Sequence, residues 1–279
     1  MKEMEFASLF WCNGAILSKE KNPAVFDFNI LKNSNISDYF YTSGTEILFF
    51  EQVFERIQKL VELYNINSAL LVDASGELLK NETKRLLIRN RYYKTARCYI
   101  LFSFSPASKR LNEFIFLAPD QQVFDSEKNI RKTIVSNTLK PAGPAMKFST
   151  IENEFRKIIR NEMEAENADD CIILNHQQHI LESYLGNIFL IDQNVVYTPS
   201  ANSGCSLQLL RAIMLSLFEQ IDFQFLEKDD LSVENIFDAQ EVIIAGETGV
   251  YSLKGIEYKR YFDTTRKKLI AKMSELEWI

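Results

Sequence analysis

The sequence predicts an α+β protein of two domains, and three observations carry that expectation. Stretches with apolar residues at helical spacing are interspersed with short runs of strand length. A polar segment headed by a proline, PDQQVFDSEKN at 119–129, divides the chain near its middle and reads as a linker. A length of 279 residues, 46% hydrophobic and 25% charged, is that of a soluble globular chain with room for one or two cores. The expected domains are a small N-terminal one over 1–118 and a larger C-terminal one over 130–279.

In chain order, SLFWCNGAIL at 8–17 predicts a hairpin, because Asn13-Gly14 tolerates the positive φ of a two-residue turn. ILFFEQVFERIQKLVEL at 47–63 passes from an apolar run to helical spacing, with Val53, Phe54, Ile57, Leu60 and Val61 on one face. GELLKNETKRLLIRN at 76–90 predicts a second helix. TARCYILFSFS at 95–105 and EFIFLA at 113–118 read as strands joined through PASKRLN. Beyond the linker, IRKTIVSN at 130–137 is expected as one strand and 150–166 as a charged helix. Three strands follow between 169 and 198, DCIIL, HILESYLGNIFLID and VVYTP, with turns at NHQQ and DQN. SLQLLRAIMLSLFEQI at 206–221 predicts a strongly apolar helix. Ser232 caps a short helix at VENIF, 240–246 is a strand, and TTRKKLIAKMSEL closes the chain as an amphipathic helix. No internal repeat or low-complexity tract is visible.

Composition removes several functions. The two histidines, His176 and His179, share one polar stretch, NHQQH, so neither a Ser-His-Asp triad nor a three-histidine zinc site has good candidates. They form an HxxH pair in an expected turn with no third ligand, which speaks against a metal. Net charge is −6 and the lysines and arginines are scattered, so a nucleic-acid partner is not expected. Cys12, Cys98, Cys171 and Cys205 stand far apart with no CxxC pair and read as buried free thiols of a reducing compartment. The N-terminus has no signal-peptide pattern, and no window approaches 18 uninterrupted apolar residues. A cytoplasmic enzyme or binding protein that does not enter a membrane is the resulting expectation.

The stretch 168–211 carries the chemical pattern: Glu182, then Asn187-Ile188-Phe189, Thr198-Pro199, and Gln208-Leu209-Leu210-Arg211. In this order and spacing it resembles the fold-type-IV pyridoxal-phosphate family, which comprises class IV aminotransferases and aminodeoxychorismate lyase. DAQEVIIAGETGVYSL at 238–253 and LFFEQVFERIQKL in the first half are similar to further family segments, so the resemblance spans nearly the whole chain. It implies a two-domain class IV aminotransferase-like fold, pyridoxal 5'-phosphate as cofactor, a small amino-bearing substrate and a homodimer.

That cofactor needs a lysine for its Schiff base, an anion against the pyridine nitrogen and donors around its phosphate. The resemblance gives Glu182 the pyridine nitrogen, and gives Arg56, the Leu209 and Leu210 amides and Thr248 the phosphate. Arg97 is the candidate for a substrate carboxylate; Tyr41 and Tyr184 are better read as packing. For the lysine, the ungapped register to the lyase pattern falls on Ser149. Lys147, two residues earlier and on the same face of an extended segment, is the candidate. Lys140 stands too early and beside a proline, and Lys157 lies inside a helix. The chain departs from the pattern with Val53 for a histidine, Gln208 for a glycine, and Glu247 at or beside the phosphate threonine. It also lacks the glycine-rich motif after the first hairpin, in keeping with only nine glycines in 279 residues. The expected activity is therefore transamination or the lyase reaction at Cα; the alternative is a degenerate relative that acts as a binding or scaffold protein.

Overall fold

The computed structural model describes residues 6–23, 25, 36–105, 110–119, 129–148 and 154–275. The chain forms two compact units, 1–123 and 124–277. Positions 120–128 of the expected linker, 106–109 of the expected PASKRLN turn and 150–153 of the expected charged helix lie outside the described residues.

The first unit opens with the hairpin of β1 (Leu9–Cys12) and β2 (Ala15–Ser18), turned by Asn13 at φ 48° and Gly14 at φ 90°. β3 (Ile36–Ser43) and β4 (Glu46–Ile47) precede α1 (Phe50–Leu63) and α2 (Glu77–Asn90); β5 (Ala96–Ser105) and β6 (Arg110–Pro119) follow. The strands make one antiparallel sheet in the order β2-β1-β6-β5-β3-β4. α1 buries the five apolar residues its spacing put on one face, together with Arg56. α2 is tied to the sheet through polar ends: Trp11 Nε1 donates to Glu82 Oε2 at 2.6 Å, and the Asn90 amide bonds both the N–H and the C=O of Leu9. Sequence patterning does not reveal β3, because it is buried without alternation from Ser37 to Thr42 and contains polar residues at its interior positions.

The second unit holds β7 (Asn129–Ile130), β8 (Thr133–Val135), α3 (Glu154–Ala165), β9 (Asp170–Leu174), β10 (Ile180–Ser183), β11 (Asn187–Asp192) and β12 (Val195–Pro199). Then come α4 (Leu209–Gln220), β13 (Gln224–Lys228), α5 (Val233–Asp238), β14 (Glu241–Gly246), β15 (Gly249–Leu253), the two-residue strands β16 (Gly255–Ile256) and β17 (Lys259–Arg260), and α6 (Thr264–Glu275). A six-stranded sheet runs β13-β12-β11-β14-β15-β7, and a three-stranded one β10-β9-β8. β9 is buried on both faces: Ile172 and Leu174 join the core shared with β11 and β14, while Cys171 and Ile173 pack under Ile159 and Met163 of α3. α4 covers the other face of β11, with the Phe218 ring 5.4 Å from that of Phe189.

Two expected strands are each divided between the sheets. IRKTIVSN breaks at Arg131-Lys132, whose amides are both taken by Asp169 Oδ2, at 2.9 and 3.0 Å, and so cannot join a ladder. β7 then pairs with β15 and β8 with β9. HILESYLGNIFLID breaks at Tyr184-Leu185-Gly186, where Ser183 Oγ and Asp170 Oδ1 accept the freed amides. This crossing needs glycine for space: a Cβ on Gly186 would lie 2.2 Å from Ala245 O, and one on Gly246 1.8 Å from Leu185 O. The helix expected from 206 begins at Leu209, because residues 205–208 take no helical turn and Gln208 is extended, at φ −74° and ψ 152°.

Candidate active site

The end of β10 puts Glu182 in the interior, only 3% exposed, at a register irregularity against β9. Its two oxygens are held differently. Oε2 accepts the backbone amide of Ser206 at 2.6 Å, and Oε1 accepts the amine of Lys140 at 2.9 Å. That amine also donates to Ser206 Oγ at 2.9 Å. Lys140 is 4% exposed and reaches inward because its backbone N–H is fixed to Leu174 O, at the end of β9. Proline at 141 removes only the next donor and does not turn Lys140 outward.

The spacing from Glu182 to Asn187 has a geometric reason. Asn187 Nδ2 donates to Ser206 O at 2.6 Å, so the two side chains grip the N–H and the C=O of one residue. Thr198 adds a bond from Oγ1 to Ile188 O, and Arg211 Nη2 donates both to Pro199 O and to Glu227. The motif residues thereby fix where the lead-in 205–208 runs and where α4 begins.

Lys147 ends a short 3-10 turn, Pro144–Lys147, and is half-buried; its carbonyl accepts the amide of Leu207 at 2.9 Å. It stands beside the same lead-in whose preceding residue holds Glu182. One step further, α4 presents a buried N-terminus. Leu209 and Leu210 are 2% and 0% exposed, and their amides meet no protein acceptor among the described residues. Gln208 caps this end without a side-chain bond, and its buried Oε1 accepts none. The structure thus brings together Glu182, the backbone of Lys147, and the Leu209 and Leu210 amides. It adds Lys140 and Ser206, which sequence reasoning missed: a lysine in an irregular loop has no periodicity to betray its burial.

The other candidates have partners of their own. Thr248 is exposed at the turn between β14 and β15, its hydroxyl 2.6 Å from that of Tyr251. Arg56 and Arg97 belong to the first unit. Arg56 is buried on α1 with Nε donating to Asp38 of β3; Arg97 is buried on β5 with its guanidinium 5.5 Å from the Tyr99 ring. Burial pushes the Asp38 carboxyl up, against the opposing pull of Arg56. Tyr41 is wholly buried, and the Tyr184 hydroxyl accepts from Arg160. The four cysteines are free and buried, with the Cys98 and Cys171 thiols raised by burial to about 12.

Comparison with known proteins gives the arrangement its context. Residues 38–255 match the family model described as amino-transferase class IV. A branched-chain amino acid aminotransferase from Thermobaculum terrenum, solved in its PLP form, superposes with a TM-score of 0.82 at 13% identity, covering 98% of this chain and 94% of that one. The branched-chain aminotransferase of Escherichia coli superposes with a TM-score of 0.78 at 16% identity, covering 97% and 93%. A Legionella pneumophila protein assigned as a 4-amino-4-deoxychorismate lyase reaches 0.73 at 19% identity, covering 86% and 90%. At these identities the superpositions speak for the fold, while the family model spans most of the sequence. The chain belongs to the class IV amino-transferase family, a family of pyridoxal-phosphate-dependent enzymes.

Proposed function

We propose that the protein is a pyridoxal-phosphate enzyme acting at Cα of a small amino-bearing substrate, by transamination or by the related lyase reaction. One observation carries this reading: Glu182, the Lys147 turn and the open N-terminus of α4 are tied to one another through the backbone of residues 206 and 207. The donor set suits each part of the cofactor. A buried carboxylate suits the ring nitrogen, a half-buried lysine the aldehyde, and two buried backbone amides at a helix start the phosphate. Gln208 suits it too, since turning its amide over offers an N–H where an oxygen now lacks a partner. When bound, the cofactor supplies an electron sink for a carbon that loses its proton.

The chain's own groups divide the remaining work. Lys147 attaches the cofactor and moves the Cα proton. Glu182, kept in place by the Ser206 amide, holds a proton on the ring nitrogen. The Leu209 and Leu210 amides anchor the phosphate, assisted by the partial positive charge of the helix start. Thr248 is proposed, on the family resemblance, as a further phosphate donor. A homodimer is the assembly suggested by the family resemblance, and the four free thiols support a cytoplasmic setting.

The decisive experiment adds pyridoxal phosphate to the purified protein, follows the visible absorption band, reduces with borohydride and maps the labelled peptide. A stable phosphopyridoxyl group on Lys147 is expected. A colourless protein that takes up no cofactor would overturn the enzyme reading and favour a binding role. An amino-donor screen including aminodeoxychorismate then separates transaminase from lyase.

A further inference from the structure

The Lys140 amine occupies the one oxygen of Glu182 that the backbone leaves open, and this has a consequence for cofactor entry. We propose that Lys140 is a positioning residue that holds Glu182 in the cofactor-free protein and yields Oε1 to the pyridine N–H. The inference rests on the reading of Glu182 given above. Oε2 already takes the Ser206 amide at 2.6 Å, and Oε1, where the Lys140 amine sits at 2.9 Å, is the oxygen held by a side chain that can move, so it is the one open to a ring nitrogen. An ammonium and a protonated pyridine are donors of the same kind, yet two cations at one buried oxygen repel each other strongly. Exchange resolves the conflict, and the second acceptor for it is already in place. Ser206 Oγ lies 2.9 Å from the same amine, so Lys140 can leave Oε1 and keep a hydrogen bond.

The arrangement also balances charge inside the protein. A carboxylate that is 3% exposed is costly without a counter-charge, and Lys140 supplies one until the cofactor does. Cofactor entry then competes with an internal ion pair, and part of its binding free energy is spent on displacing Lys140.

The test compares the wild type with Lys140→Met, which keeps an unbranched apolar stem without the charge. Three ligands are titrated: pyridoxal phosphate, 4'-deoxypyridoxine 5'-phosphate, which lacks the aldehyde, and 1-deazapyridoxal phosphate, which lacks the ring nitrogen. The variant is expected to bind the first two about tenfold more tightly than the wild type, because its unpaired Glu182 gains the most from a new donor. It should gain nothing for the deaza compound, and its melting temperature without ligand should fall. Unchanged or weaker binding of deoxypyridoxine phosphate overturns the inference. So does a borohydride adduct that maps to Lys140, which would make it the attachment site. If Lys140→Met does not fold, Ser206→Ala decides: removing the second acceptor should weaken binding of deoxypyridoxine phosphate several-fold, and an unaltered affinity overturns the inference. Wild-type protein that binds none of the three ligands instead removes the functional reading beneath it.

Discussion

Each unit buries an ion pair, and the two are built in opposite ways. In the first, Asp38 sits on strand β3 and Arg56 on helix α1, and Asp38 has a further bond from the Tyr39 amide at 2.8 Å. Both partners are carried by regular elements with their own hydrogen-bond ladders, so the pair acts as a bolt between sheet and helix. In the second, Lys140 stands in an irregular loop, and the Ser206 that steadies Glu182 belongs to the lead-in 205–208. Such segments yield at lower free energy than helices and strands. A buried charge pair is thus a fastener or a replaceable contact according to what carries it, although both are almost fully excluded from water.

The sharpest way to break the comparison is to remove one cation from each pair. Arg56→Met leaves Asp38 buried without its partner and should cost about 3–5 kcal/mol in urea unfolding, a loss that pyridoxal phosphate does not selectively restore. In Lys140→Met the loss should shrink as cofactor is added. Equal recovery in the two variants would erase the distinction. A second experiment probes the frame beneath Glu182. Gly246→Ala drives a Cβ into the backbone carbonyl of Leu185, which cannot rotate aside, and should cost about 2–3 kcal/mol. The distortion falls between Glu182 and Asn187, so cofactor affinity should drop as well; an intact affinity would show that the crossing does not set the site.

The effect confined to the narrowest range of conditions concerns a third buried carboxyl, Asp170, which has neither a bolt nor a replaceable partner. It accepts the Leu185 amide through Oδ1, and its Oδ2 is buried without a hydrogen bond. Burial raises its carboxyl to about 7, outweighing its hydrogen bonds and the more distant Arg156. The folded protein therefore keeps a proton there that the unfolded chain releases near pH 4. This contribution is full below about pH 4 and is lost as the pH rises through about 7. Asp170→Asn should flatten that part of the stability profile measured between pH 4 and 8. An unchanged slope would show that the carboxyl is charged throughout.

Local patterns made part of this molecule readable. The Asn13-Gly14 hairpin and the apolar stripe of α1 depend on neighbours in sequence, and both are present as expected. Glu182 and Asn187 were legible as a spacing, though their shared grip on Ser206 was not. What escaped depends on distant partners. β3 shows no alternation because its interior is buried throughout, and the two divided strands break where Asp169, Asp170 and Ser183 capture amides across loops. Spacing and the adjoining proline speak against Lys140 in the sequence, whereas its direction is fixed by a bond to Leu174, which no local rule anticipates.

The divided strands also define a cassette. Residues 133–183, from β8 through α3 to β10, leave the six-stranded sheet at one seam, 131–132, and return to it at the other, 184–186. Lys140, Lys147 and Glu182 all travel on this insert, while Ser206 and the start of α4 belong to the host. A chimera that exchanges the cassette between relatives would therefore move the charged set as a block. Its success would turn on whether both seams and residue 206 come from compatible parents.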